Sequence, residues 1–513
     1  RDLEFGKQVH VHACKKGFMC ILHVGNALVN MYGNCGAILE AENVFSGLYQ
    51  RNIVSWTTML SVYIEQGEAQ KVLKLYRQMK EEGLGPDEYA FVFALQACGI
   101  LAKQKQNLGT AETQLYSASL EIAKALHADA HKVGYANGIF VGTALVSVYG
   151  KCGTIADSEN VFYRLSQGNL VTWNAMLSAY VEHGLVKKAL LLYSQMQGKR
   201  VKPGKLTYII VFQACGILAE DEGEGKLTKE KCLHILRAMF NDSHVKECST
   251  SIHVATTLIS TYAKCGSMSE AECAFNAIIV RDLVSWNAML TAYVEKGEGA
   301  KALDLYKQMQ DENVIQDDVT LIYILLSCGE TENCEMCKQL HFGIVHVKCD
   351  SVPAVVSSLI YAYGNCARMT DAHICFHCLP EPDTASWNAC IVGYSGEANY
   401  AGALSMFENS KLEGIIPDEI TFTSVLSACT HTGHVTEGIL YFESMSRNNG
   451  INPDMQHNSI LVDLFARAGD FCRIEYMLAR RMPNNLNVWL FLLGACRAHG
   501  NFELAKQAFD HAI

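Results

Sequence analysis

The chain has 513 residues, of which 50% are apolar and 19% are charged, and this composition excludes a disordered chain. No segment has the ~18–20 consecutive apolar residues of a membrane-spanning helix, and 21 cysteines in so long a chain do not indicate the disulfide framework of a short secreted domain. The 42 basic and 53 acidic residues give a net charge of −11, which by itself argues against a nucleic-acid partner.

The chain repeats a unit of roughly 100 residues. Its five tryptophans, Trp56, Trp173, Trp286, Trp387 and Trp489, recur at intervals of 117, 113, 101 and 102 residues, the first four in matching segments such as Val-Ser-Trp-Asn-Ala-Met-Leu. Each unit contains pairs of segments with apolar residues at i, i+3, i+4 and i+7, which predicts pairs of amphipathic helices. A glycine ends the first segment of a pair and a proline commonly follows the second, as at helix ends. Such hairpins bury a core only against their neighbours, so the sequence predicts one helical solenoid instead of several globular domains.

These residues resemble the pentatricopeptide repeat family. The resemblance rests on the Val-Ser-Trp-Asn-Ala-Met-Leu segment, a glycine, an Ala-Leu-x-Leu-Tyr-x-Gln-Met segment and a closing Pro-Asp, and it covers nearly the whole chain. The alternation of 31-residue, 35-residue and longer units is similar to the plant organellar PLS class. The resemblance implies an all-α fold, a right-handed superhelical solenoid of helix-turn-helix repeats.

The resemblance also assigns repeat boundaries. Residues 1–21 are expected to be the end of a truncated long repeat, 22–454 a PLS-type array, 455–487 a terminal short repeat and 488–513 a partial extension (E-type) motif of RNA-editing factors. Insertions near 102–120 and 218–231 are expected to form loops or helix extensions. Within the array we expect short repeats at 22–52, 139–169, 252–282 and 353–383, 35-residue repeats at 53–87, 170–204, 283–317 and 384–418, and long repeats at 88–138, 205–251, 318–352 and 419–454.

In this family one RNA base is specified by the fifth and last residues of a repeat, here called its base-specifying pair. The two positions are expected to lie side by side along the concave groove, so that two short polar side chains address one Watson–Crick edge. The alternative is that Asn, Thr and Asp serve there as helix caps. The matching pairs are Asn26/Asn52 for a pyrimidine, Thr57/Asp87 for G, Thr143/Asn169 for A, Asn174/Gly204 for an undetermined pyrimidine, Thr256/Asp282 for G, Asn287/Asp317 for U, Ser357/Asp383 for G, Asn388/Asp418 for U and Thr423/Asp454 for G.

The internal long repeats place Val92, Ile209 and Ile322 at the fifth position, so they are expected to act as spacers or weak contacts. From 5′ to 3′ the predicted RNA is therefore Y-G-n-A-Y-n-G-U-n-G-U-(G). The second residue of each repeat, for example Val171, is expected to flank a base, with ordinary helix packing as the alternative. The tryptophans are expected to lie in the core.

We expect neither a metal site nor a catalytic site. The Cys-x-x-Cys pairs Cys334/Cys337 and Cys375/Cys378 belong to different predicted repeats, whereas zinc needs four converging ligands. The His-x-Glu and Pro-Cys-x-x-Cys motifs of deaminases do not occur, nor does a phosphate-binding P-loop. We therefore expect this chain not to be an enzyme and to need no cofactor, and a deaminase would be missing from it or supplied by a partner.

The resemblance implies sequence-specific binding of single-stranded organellar RNA, with the chain acting as a site-recognition factor for C-to-U editing. A deaminase or other editing-complex proteins are expected to bind through the C-terminal end, and neither a membrane nor a small-molecule substrate is expected. The location would be a mitochondrion or a plastid, with any targeting peptide upstream of this sequence. The alternatives are an RNA stabilisation or processing factor without editing and a protein-binding helical scaffold similar to tetratricopeptide repeats.

Overall fold

The computed structural model describes residues 3–106, 112–165, 168–220, 225–240, 251–347 and 352–481, with a few single positions beyond 481. Throughout these ranges the chain forms helices joined by short turns, and they contain no strand. The helices form hairpins, in which the first member is called the A-helix and the second the B-helix.

Thirteen A-helices lie within the described ranges, and each begins at the first residue of a predicted repeat. They are Leu22–Asn34, Ile53–Glu65, Glu88–Gln106, Ile139–Lys151, Leu170–Glu182, Lys205–Glu220, Ile252–Lys264, Leu283–Glu295, Asp318–Glu330, Pro353–Asn365, Thr384–Gly396, Glu419–Thr432 and Met455–Ala468.

The B-helices alternate with them, and those of the four short repeats have only 9 or 10 residues where those of the 35-residue repeats have 13. They are Leu3–Lys15, Ile38–Ser46, Ala69–Glu81, Glu112–Val133, Ile155–Arg164, Val186–Gly198, Gly225–Phe240, Met268–Asn276, Gly299–Asp311, Cys334–Val347, Met369–His377, Tyr400–Leu412, Val435–Asn448 and Phe471–Arg481.

The glycines predicted to end the A-helices do so in a left-handed backbone conformation. Gly67, Gly184 and Gly297 have φ values of 75°, 68° and 67°, which a residue without Cβ adopts at little cost. The two insertions lengthen helices: Glu88–Gln106 and Glu112–Val133 have 19 and 22 residues. In the second insertion Lys205–Glu220 and Gly225–Phe240 have 16 each. The tips of both insertions, 107–111 and 221–224, lie outside the described residues.

The chain divides into two compact units, Arg1–Ser267 and Met268–Ile513. Within each unit an A-helix packs against its own B-helix and against the next A-helix, and a B-helix packs against the A-helix that follows it. Because each hairpin contacts chiefly its neighbours, the fold of each unit is an α-solenoid, and the A-helices form one continuous layer of it.

The repeated tryptophans lie in the core, as predicted. Trp56 and Trp286 are fully buried, and each packs edge-to-face against a phenylalanine of the preceding B-helix, with ring centroids 5.2 Å apart for Phe45 and 5.1 Å apart for Phe275. Such aromatic pairs add stabilisation beyond the area they bury. One recurring sequence position therefore joins each short repeat to the 35-residue repeat after it.

A polar contact also recurs three times between hairpins. Tyr180 donates a hydrogen bond of 2.7 Å to Glu159, and Lys188 donates one of 2.9 Å to the same carboxylate. The Lys188 bond, helped by the Tyr180 bond and opposed by burial, lowers the pKa of Glu159. The same contact joins Tyr63 and Lys71 to Glu42, and Tyr293 and Lys301 to Glu272.

Candidate nucleic-acid interface

The last residue of a repeat caps the next A-helix. Asp418, for example, accepts a hydrogen bond of 2.8 Å from the backbone N–H of Thr421, which satisfies one of the unpaired donors at the helix N-terminus. The same cap is formed by Asn52, Asp87, Asn169, Asp282, Asp317, Asp383 and Asp454. Each of these bonds ends on Oδ1, so the second atom of the Asp or Asn head group is not used for capping.

Two base-specifying pairs are joined by a direct hydrogen bond. Asn287 Nδ2 donates to Asp317 Oδ1 at 3.0 Å, and Asn388 Nδ2 donates to Asp418 Oδ1 at 2.9 Å. The fifth and last residues thus lie side by side at these junctions, although they are 30 residues apart in sequence.

Three further pairs are joined through one intervening side chain. Thr143 lies 2.6 Å from the hydroxyl of Thr172, which in turn donates to Asn169 at 2.9 Å. In the same way Ser386 links Ser357 to Asp383, and His457 links Thr423 to Asp454.

Two of the other four pairs, Asn26/Asn52 and Thr57/Asp87, show neither kind of link among the described residues. Thr57 donates to the Ile53 carbonyl of its own helix at 3.0 Å, and Asn26 is buried with its Oδ1 unpartnered among the described residues. At the third pair Gly204 has no side chain, and the hydroxyl of Thr207 links its backbone N–H, at 3.1 Å, to Asn174 Oδ1, at 2.7 Å. Thr256 and Asp282 belong to different compact units, and Thr256 donates to the carbonyl of His253 at 3.1 Å.

The third residue of the following repeat contacts the base-specifying pairs, and the interpretation of the sequence missed it. At most 3% of its surface is exposed wherever it is Ser, Thr or His. The sequence does contain a signal for this contact: the third residue is valine in the repeats that follow an apolar fifth residue. The polar third residues, called bridging residues below, are Ser55, Thr172, Thr207, Ser285, Thr320, Ser386, Thr421 and His457.

An open groove of 1050 Å³ along the A-helix layer is lined by four fifth residues of the N-terminal unit, Val92, Thr143, Asn174 and Ile209. Thr143 and Asn174 lie in it beside the apolar second residues Phe140 and Val171, whose side chains are 58% and 61% exposed. Exposed apolar side chains next to polar ones with directed hydrogen-bonding groups suit a flat, hydrogen-bonding ligand.

The same groove carries positive charge in spite of the net charge of −11. Lys151 and Lys103 both line it, and burial, together with the neighbouring charge of Lys103, lowers the pKa of Lys151. Lys103 also forms an ion pair of 3.1 Å with Glu182. Glu182 lines the groove as well, so among its lining residues two cations and one carboxylate leave an excess of one positive charge, and the other walls are apolar or neutral.

Other kinds of site find no support in the described ranges. No group of three His, Cys, Asp or Glu side chains there is placed to hold a metal ion. No described helix is long and apolar enough to span a membrane. Of the recurring cysteines, Cys98, Cys215, Cys328 and Cys429 are fully buried. Burial raises the pKa of the Cys98 thiol to about 12, so this thiol stays protonated and unreactive.

Comparison with known proteins identifies the family. The PPR repeat family model matches residues 51–99, 168–216, 281–329 and 382–431, and a PPR repeat model matches 254–283 and 420–450. A putative pentatricopeptide repeat-containing protein of Arabidopsis thaliana is 30% identical over 98% of this chain and 70% of its own length. The chain belongs to the pentatricopeptide repeat family. Both matching models describe a repeat, not a catalytic domain.

Relatives in this family include organellar proteins of Arabidopsis thaliana. One pentatricopeptide repeat-containing protein named as mitochondrial is 30% identical over 99% of this chain and 70% of its own length. One named as chloroplastic is 30% identical over 99% of this chain and 60% of its own length. The chain spans 48% to 70% of the length of the curated relatives compared with it.

Solved pentatricopeptide repeat structures have the same fold. The crystal structure of the maize protein PPR10 matches with a TM-score of 0.55 and 18% identity, over 94% of this chain and 78% of that one. A structure of PPR10 in complex with an 18-nucleotide psaJ RNA element matches with a TM-score of 0.52 and 16% identity, over 95% and 78%.

Proposed function

We propose that this pentatricopeptide repeat chain binds single-stranded RNA by sequence, one base per repeat, through its fifth and last residues. The observation that carries the proposal is the direct bond between the two residues of a pair at Asn287/Asp317 and Asn388/Asp418. PPR10, a solved protein of the same fold, is described in complex with RNA.

The chemistry of these two pairs suits uracil. One hydrogen of Asn388 Nδ2 is donated to Asp418 Oδ1, which leaves the other to donate to a ligand. The bonds described for Asp418 end on Oδ1, which leaves Oδ2 to accept. A donor beside an acceptor complements the O4 and N3–H of uracil. An RNA base offers both groups on one edge once it is unstacked from its neighbours.

The experiment is a gel shift with the RNA Y-G-n-A-Y-n-G-U-n-G-U-G against a scrambled RNA of the same composition. We expect at least tenfold tighter binding to the ordered RNA, because several matched bases each contribute about 1 kcal/mol or more. Equal and weak binding to both would contradict base-specific recognition. It would favour a protein-binding scaffold instead.

A single substitution tests the alignment of repeats with bases. Thr57→Asn converts the pair with Asp87 into the Asn/Asp type and should move the preference at the second nucleotide from G to U. Thr143→Ser, which keeps the hydroxyl at another fifth position, should leave the preference at the second nucleotide unchanged. If Thr57→Asn leaves that preference at G, the assigned alignment is wrong.

We further propose that the chain directs C-to-U editing in a mitochondrion or plastid, with a deaminase or other editing-complex proteins bound through its C-terminal end. The organellar names of two relatives support the location. The editing role depends on the resemblance of residues 488–513 to an extension motif, most of which lie outside the described residues. Restoring the encoded protein to a plant line that lacks it, and sequencing organellar transcripts, tests the role. Unchanged editing with altered transcript ends or abundance would favour a stabilisation or processing factor.

A further inference from the structure

The fifth residue of one repeat and the third residue of the next are chemically matched along this chain. Eight of the nine polar fifth residues in the base-specifying pairs are followed by Ser, Thr or His at the third position, and Thr57, followed by Ala90, is the exception. The three apolar fifth residues are each followed by valine, at Val141, Val254 and Val355. A buried polar side chain therefore follows eight of these polar fifth residues, and a valine follows each apolar one.

At Asn174 the hydroxyl has a defined direction. Thr207 Oγ1 accepts the backbone N–H of Gly204 at 3.1 Å, and it lies 2.7 Å from Asn174 Oδ1. Since the amide oxygen of Asn174 can only accept, the hydroxyl proton of Thr207 is donated to it. The amide oxygen thus points inward, and the NH₂ group of Asn174 points to the groove.

A similar arrangement occurs at the two directly joined pairs. Thr421 Oγ1 accepts the backbone N–H of Asp418 at 3.1 Å and lies 2.7 Å from Asn388 Oδ1, and Thr320 Oγ1 lies 2.7 Å from Asn287 Oδ1. Each of these hydroxyls also lies 2.8 Å from the aspartate Oδ1, so its one proton is shared between the amide oxygen and the carboxylate. At these pairs the amide NH₂ also donates to the aspartate, so two groups hold the asparagine. At Asn174 the last residue is Gly204, and within the described ranges the side-chain bond that holds the amide comes from the hydroxyl of Thr207.

We propose that the bridging residues Thr207, Thr320 and Thr421 set base specificity by holding the amide of the fifth-position asparagine with its NH₂ group toward the RNA. An asparagine fixed in this way presents its donor to the base in one orientation, which matches O4 of uracil or N3 of cytosine, whereas an asparagine free to turn also presents its acceptor. The bridging residues are thus positioning residues for recognition, and this inference rests on the proposed RNA-binding function.

The test is Thr207→Val, measured by fluorescence anisotropy on the full chain with four RNAs that differ only at the fifth nucleotide. Valine occupies the equivalent buried site at Val141, so the fold accommodates it. We expect the preference for pyrimidine over purine at that nucleotide to fall from about tenfold to within about twofold, since a buried amide free to turn offers either group. Thr207→Ser, which keeps the hydroxyl, should restore the preference.

Two comparison variants sharpen the test. Thr320→Val should reduce the preference for U at the eighth nucleotide by only about threefold, because Asp317 still holds Asn287. Thr430→Val removes another buried hydroxyl, one that donates to the Leu426 carbonyl at 2.9 Å and touches no base-specifying residue. It should lower stability without changing base preference at any nucleotide.

The outcomes separate the inference from the function on which it rests. If Thr207→Val weakens binding equally for all four RNAs, or leaves the preference intact while Asn174→Ser changes it, the bridging role is overturned and base recognition stands. If the wild-type chain shows no preference at any nucleotide, the proposed function fails. If preference is lost with valine and regained with serine, the inference is supported.

Discussion

Replacing Asp418 by asparagine should exchange the base that repeat 384–418 selects while leaving the fold intact. The carboxylate accepts from the Thr421 backbone at 2.8 Å, the Thr421 hydroxyl at 2.8 Å and Asn388 Nδ2 at 2.9 Å, all on Oδ1. An amide oxygen can accept the same three bonds. The second atom, however, changes from an acceptor to a donor.

The magnitudes follow from these contacts. Asparagine is as good an N-cap as aspartate, so Asp418→Asn should cost about 0.5–1 kcal/mol for the loss of charge in those bonds. Asp418→Ala removes the cap, at about 1 kcal/mol, and leaves the Asn388 amide without its acceptor, at about 1–2 kcal/mol more. In RNA binding, the amide NH₂ that Asp418→Asn introduces would face the N3–H of uracil, which is also a donor, whereas N3 of cytosine can accept from it. The ratio of U affinity to C affinity should therefore fall by about tenfold.

Urea unfolding measures the change in stability, and fluorescence anisotropy with U or C at the eleventh nucleotide measures the ratio of affinities. Asp304→Asn is the matched control, because Asp304 is 71% exposed on a B-helix and its ion pair with Lys307 lies away from any base-specifying pair. A variant Asp418→Asn that still prefers U as the wild type does would refute the assignment of the second oxygen to the base. Equal stability of Asp418→Ala and Asp418→Asn would refute the cap.

Three further predictions concern charge. Glu159→Ala should lower the free energy of unfolding by about 1–2 kcal/mol, measured in urea, because Tyr180 and Lys188 lose their shared acceptor; an equal loss in Glu121→Ala, on an exposed helix surface, would contradict a specific contact. Burial raises the pKa of Asp418, but the hydrogen bonds from Thr421 and Asn388 outweigh burial and lower it below its ordinary value. A carboxylate whose pKa is lowered by folding stabilises the protein above the unfolded-state pKa near ~4, and this stability is lost as the pH falls through the folded-state pKa. The urea midpoint should therefore hold from pH 7 to about 5 and drop below about 4. The drop should be less steep in Asp418→Asn. Lys151→Met should weaken RNA binding at low salt and reduce the slope of log affinity against log salt by about 0.7, since one contact to a single strand is lost; an unchanged slope would place Lys151 away from the RNA backbone.

Sequence periodicity predicted the backbone of this fold well and its polar contacts only in part. The predicted first residues of the repeats coincide with the observed A-helix starts, because the signals at helix ends, Gly67 or Asp87 for example, act locally. Burial of Trp56 was predictable from its recurrence in an apolar segment. Contacts such as Thr320 with Asn287 join residues 33 positions apart, and only the stacking of one repeat on the next brings them together.

Helix capping and base recognition are the two alternative roles for the last residue of a repeat, and the contacts allow one Asp or Asn to serve both. Capping uses Oδ1 of Asp317 or Asp418, and the second oxygen takes no part in these bonds. The sequence alone could not show this, because both hypotheses require the same residue types at the same position. The outcome depends on how the carboxylate is turned, which a residue pattern does not record.

This double use restricts what the last position of a repeat can be. Among the repeats with a polar fifth residue it is Asp or Asn, except at Gly204. These are residues that cap a helix with one atom and still carry a second polar atom on a rigid, planar head group. Serine or threonine would cap about as well, but its one oxygen, once it accepts from the helix, leaves a single rotatable proton and no second planar group for a base. At Gly204 the hydroxyl of Thr207 accepts the backbone N–H and also holds Asn174. Stability and base recognition therefore depend on the same few atoms, so a change of specificity at the last position is expected to preserve the fold only when it exchanges Asp for Asn.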